Sequence, residues 1–118
     1  MEEKIVPASP GASRILHLTL HRRWFDAIAS GEKKEEYRIL KPYWTKRLMS
    51  AKPRLPIPYD EIHFRNGYTK DAPFMRVVWL GLVVRLGGKA LPLEYQDKHV
   101  FCIQLGPILE IRNYKGAA

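Results

Sequence analysis

Thirteen consecutive residues, Phe74 to Leu86 ("FMRVVWLGLVVRL"), constrain the fold more than any other part of the chain. Apart from two arginines and Gly81 they are aliphatic or aromatic with many β-branched members, which is the composition of a strand. The run is longer than the usual strand of roughly 5–6 residues, so it predicts a bent or bulged strand with Gly81 at the bend.

The rest of the chain supplies partners for it. "ILHLTL" (Ile15 to Leu20) sets Leu16, Leu18 and Leu20 on one face and Ile15, His17 and Thr19 on the other, the two-residue period of a half-buried strand. Residues 34–39 are compatible with an extended strand, "EIHF" reads as another, and "HVFCIQL" and "ILEIRNY" read as two strands separated by Gly106-Pro107. Between them, "HRRWFDAIAS" places Trp24 and Ile28 four apart, with Gly31 as the stop of a short amphipathic helix. A turn of helix follows Pro42 in "YWTKRLMS". "AKPRLPIPYD", with three prolines in ten residues, is a surface loop and a candidate gate. About six strands and two or three short helices result. Their order predicts an α+β fold, a small mixed β-barrel with helices plugging its ends. A Rossmann or P-loop domain is not expected, because neither glycine-rich phosphate fingerprint occurs.

At 118 residues the chain has the length of one domain, expected over residues 14–115 after a loose leader at residues 1–13. No segment approaches the roughly 18 uninterrupted apolar residues of a membrane span, so no membrane partner is expected. Cys102 is the single cysteine and lies in an apolar run, so the chain forms no internal disulfide. This usage suits a reducing, cytoplasmic setting. The net charge of +8 and the pI near 9.8 favour a polyanionic partner, nucleic acid before acidic lipid.

The charges concentrate in "SGEKKEEYRILKPYW" (Ser30 to Trp44). Glu36 and Arg38, two apart on one strand, share a face and can pair or grip one ligand. Lys33 joins them only from the turn after Gly31. There a partly desolvated lysine can act as a general base or nucleophile, while Arg38 binds a phosphate or a carbonyl oxygen. Spacing alone is equally that of a solvated face with weak salt bridges, the reading that suits Lys34 and Glu35.

Gly31, Lys33, Glu36 and Arg38 form the pattern G-x-K-x-x-E-x-R directly after a helix. In this the chain resembles the ASCH family, a branch of the PUA-like superfamily, over roughly residues 15–86. The resemblance implies a PUA-like barrel with these residues lining a cleft, and RNA or a modified nucleoside as ligand. Some relatives are hydrolases. What carries over from those acting on acetylated cytidine is a catalytic role for Lys33. The amidohydrolase branch tends to have a threonine where this chain has Glu36, and a glutamate there can pair with Lys33 or accept a proton instead of presenting a hydroxyl. Ribonuclease activity has also been ascribed to the family.

A nucleobase needs a stacking surface, and Trp24, Tyr37, Tyr43, Trp44 and Tyr68 are the aromatic candidates. Trp24 has the helical spacing of a core residue, whereas Trp44 sits in a polar segment. "FRNGY" brings Arg65, Asn66 and Tyr68 to a strand end, a pattern equally explained by an Asn66-Gly67 hairpin turn. Lys33, Glu36 and Tyr68 are therefore the candidate catalytic residues, and Arg38, Trp44, Arg65, Asn66 and Trp24 the candidate binding residues. The four histidines have no metal-ligand spacing, and neither a metal nor another cofactor is expected. Three readings stand: an RNA- or nucleotide-binding module, a metal-independent hydrolase, and a protein-interaction module using its basic face.

Overall fold

The computed structural model describes residues 14–116. The leader expected at residues 1–13 lies outside them. The chain has the order β1 (Ile15–Thr19), α1 (Arg22–Ala29), β2 (Glu35–Ile39), α2 (Pro42–Leu48), β3 (Glu61–Arg65), β4 (Phe74–Leu86), a 3₁₀ turn (Leu93–Tyr95) and β5 (His99–Arg112). This is an α+β protein with one five-stranded sheet, in the order β1-β3-β4-β5-β2.

Five strands form where six were expected, because Gly106 and Pro107 do not interrupt β5. Proline cannot donate to a ladder and is tolerated where a strand has an open edge. β2 stops pairing with β5 at Gln104, three residues before Pro107, which leaves such an edge. The long run Phe74–Leu86 is one strand, and Gly81 within it takes φ +153°.

The described residues fall into two compact units. The first contains residues 14–34, 59–79 and 105–116. In it β1 runs parallel to β3, and β3 is antiparallel to the first half of β4. Register puts Leu16 beside Ile62 and Ile62 beside Val77, and likewise Leu18 beside Phe64 and Phe64 beside Met75. All six are buried, so the leucine alternation of residues 15–20 does mark the core face. Phe25 and Ile28 are the buried residues of α1. An Arg22–Asp26 pair at 2.8 Å spans one turn of α1. Gly31, at φ +84°, ends it by donating to the Ile28 carbonyl, a conformation in which an L side chain is strained.

The second unit contains Glu35–Pro58 and Leu80–Gln104. Here β2 pairs antiparallel with β5, setting Glu36 opposite Ile103 and Arg38 opposite Phe101. Val100, Phe101, Cys102 and Ile103 are all buried, so β5 is covered on both faces at this point. Pro42 opens α2, where its fixed φ suits the first helical turn and its missing N–H leaves no donor unmet. The proline-rich segment is irregular as expected, and it is tied back to α2. Ile57 N–H donates to the Leu48 carbonyl at 2.9 Å, and the Ser50 hydroxyl bonds the carbonyls of Pro53 and Leu55.

Candidate functional site

Strand period brings Glu36 and Arg38 to one face of β2, and there they pair: Arg38 Nη2 donates to Glu36 Oε2 at 2.7 Å. The side chains are 6% and 19% exposed, so the pair is largely removed from water. The Arg38 guanidinium also lies over the indole of Trp44, 4.7 Å from its centroid. Trp44 is half-buried and meets Tyr43 edge to face at 4.9 Å, while Tyr43 carries the Arg47 guanidinium at 4.2 Å. Arg38 Nε is buried and has no hydrogen-bond partner among the described residues. A buried donor without an acceptor is costly.

The first unit holds Lys33 and Trp24. Lys33 Nζ is 5.5 Å from the Trp24 ring centroid and the Arg23 guanidinium 4.1 Å from it, so the indole of the half-buried Trp24 carries two cations. Lys33, Lys34, Gly31, Leu105 and Pro107 line a cavity of about 420 Å³.

The "FRNGY" residues behave differently from one another. Asn66 Nδ2 donates to the Leu20 carbonyl at 2.9 Å and its N–H to Pro73, so Asn66 fastens the β3–β4 connection to the end of β1. The Arg65 guanidinium packs over Phe74, 4.9 Å from its centroid. Tyr68 is 90% exposed. Of the expected site residues, Glu36, Arg38 and Trp44 are brought together in the second unit and Lys33 and Trp24 in the first.

Two polar clusters were not legible in the sequence. Glu35, expected as ordinary surface charge, accepts a bidentate fork from Arg85 at 2.9 and 2.7 Å. It also accepts bonds from Gln104 at 2.7 Å and from the Tyr37 hydroxyl at 3.0 Å. The Arg85 hydrogen bonds, against the opposing effect of burial, hold the Glu35 carboxyl at about 2, and burial pushes the Tyr37 phenol up to about 12. In the first unit Glu61 is buried and bonded to His63 at 2.9 Å, with His17 edge-on to His63 at 5.3 Å. Burial, with His63 and Arg65 nearby, pushes the His17 imidazole below its usual value. Register explains the second cluster, since His17 and His63 are paired across β1 and β3.

Among the described residues no group of His, Cys, Asp and Glu is arranged to hold a metal ion, and no helix is long and apolar enough to cross a membrane. Cys102 is fully buried, and burial pushes its thiol up, which suits a packing role. Comparison with protein-family models, with curated proteins and with solved structures gives no match.

Glu36, Arg38 and Trp44 thus form one packed set of a carboxylate, a guanidinium and an indole. Glu36 fixes the guanidinium plane through one nitrogen and Trp44 supports it from below. A guanidinium is a group that can bind a phosphate or carbonyl oxygen, and an indole one on which a base can stack.

Proposed function

We propose that the protein is an RNA- or nucleotide-binding domain of ASCH type, with a PUA-like barrel as its scaffold and Arg38 and Trp44 as its recognition platform. The observation that carries this reading is the Arg38 guanidinium, fixed by buried Glu36 and stacked on Trp44, with its buried Nε lacking an acceptor. A ligand oxygen meets the part of the guanidinium that remains exposed, and an unpaired base stacks beside it. The net charge of +8 adds sequence-independent attraction to the phosphate backbone. Direct titration with a short single-stranded RNA tests the reading. Binding that weakens with salt and is lost in a folded Arg38→Met, Glu36→Leu double variant supports it, and binding indifferent to Arg38 and Trp44 overturns it.

A second reading, metal-independent hydrolysis of a modified nucleoside, is favoured by Lys33 at the wall of the 420 Å³ cavity. Incubation with acetylcytidine, followed by mass spectrometry, tests it. Release of acetate and cytidine by the wild type but not by Lys33→Ala makes the protein an enzyme. No product from the wild type leaves the binding reading alone.

A further inference from the structure

The platform leaves unused a groove of about 700 Å³ in the second unit, between α2 and the proline-rich loop. Its volume falls within the roughly 300–1,000 Å³ of built ligand clefts. The helix side of the groove is a single stripe, Pro42, Thr45, Lys46 and Met49, at the i, i+3, i+4, i+7 spacing of one helical face. Ile57 closes it from the loop side and Leu40, 43% exposed, from the end of β2. The loop wall is held in place by the Ser50 hydroxyl and the Ile57–Leu48 backbone bond described above.

Charge and shape together define the occupant. From Leu40 to Pro58 the sequence has five cations and no acidic residue. Three of them, Lys41, Lys46 and Arg54, line the groove, and none of the three has an ion-pair partner among the described residues. The surface between these cations is aliphatic. No aromatic ring lines the groove: Tyr43 and Trp44 are packed against each other and carry Arg47 and Arg38. The Ser50 hydroxyl is committed to the loop, so Thr45 is the one uncharged polar side chain left to meet a ligand.

A nucleobase would find neither a stacking ring nor a set of edge partners here. A peptide with branched aliphatic side chains would displace water from Pro42, Met49 and Ile57, and the flexible thioether of Met49 can adapt to their shape. Carboxylates between those side chains would reach the three cations at the rim. We infer that this groove binds a linear peptide segment of a partner protein in which acidic residues alternate with leucine or isoleucine. The inference is independent of the nucleic-acid reading, because it uses another face of α2 and a different ligand chemistry.

Fluorescence anisotropy on the full chain tests it with a labelled peptide alternating glutamate with leucine and isoleucine. Two comparison peptides are needed, one with serine for the aliphatic residues and one with lysine for the acids. The expected result is saturable binding of the first peptide, with both comparison peptides at least tenfold weaker. Lys46→Glu and Arg54→Glu change exposed residues, so the circular dichroism spectrum should be preserved while each weakens binding about three- to tenfold. Three outcomes overturn the inference: no binding of the first peptide, equal binding of the serine version, or indifference to both charge reversals. Displacement of the peptide by an oligothymidylate of equal charge also overturns it, by making the groove part of a nucleic-acid surface.

Discussion

Arg38 and Glu36 meet through a 2.7 Å charge-assisted hydrogen bond between alternate residues of one strand, with Glu36 almost wholly out of water. Removing Arg38 takes a charge-assisted hydrogen bond from a buried carboxylate, which costs more than the intact pair contributes. Arg38→Ala is therefore expected to destabilise the fold by about 2–4 kcal/mol in urea unfolding. The double variant Arg38→Met with Glu36→Leu should recover most of that loss. Stability equal to wild type in Arg38→Ala would show that Glu36 is satisfied without its arginine.

Trp44 supports the guanidinium from below, so its loss should act on binding more than on stability. Stacking of a base on an aromatic ring is worth about 1–3 kcal/mol. Trp44→Ala is expected to weaken single-stranded RNA binding roughly tenfold, with the salt dependence unchanged because no phosphate contact is removed. A parallel fall in affinity and in salt slope would place Trp44's role in the electrostatics instead.

Glu35 links stability to acid. Its carboxyl is held at about 2, below the ordinary value of 4.5, chiefly by the hydrogen bonds from Arg85. A depressed carboxyl stabilises the folded state above its unfolded value, and that contribution is lost as pH falls from about 4.5 to about 2. Glu35→Gln should lower stability at neutral pH and flatten its decline across this interval. Identical pH profiles for variant and wild type, measured by thermal unfolding, would remove Glu35 from the acid response.

Gly87 closes the connection between β4 and β5, donating to the Lys98 carbonyl at 2.7 Å and accepting from Asp97 at 2.9 Å. A Cβ at this position would stand 2.0 Å from the Tyr95 backbone oxygen, and backbone cannot swing aside as a side chain can. Gly87→Ala is expected to cost about 2–3 kcal/mol of unfolding free energy, the scale of a forced overpacking. Gly88→Ala, with nothing within 4 Å of its Cβ, is the matched control.

The leucine alternation of β1, the helix stop at Gly31, the helix after Pro42 and the shared face of Glu36 and Arg38 were all legible in the chain. Each follows from covalent geometry or from a period of two to four residues, and such rules act within a few residues of their cause. The continuity of β5 through Pro107 was not legible, because it depends on where β2 ends beside it. Nor was the role of Glu35, whose arginine lies 50 residues away and whose glutamine lies 69 away. Trp44 was legible as an aromatic in a polar segment, but not as the ring beneath Arg38. The sequence by itself determined where most strands and both helices lie, the basic charge and which side chains share a face. Only the tertiary structure decided which charges are paired, which donor is left buried without an acceptor, and which cations surround an aliphatic groove. Pairing and burial depend on distances between residues far apart in the chain, and no local rule carries those distances.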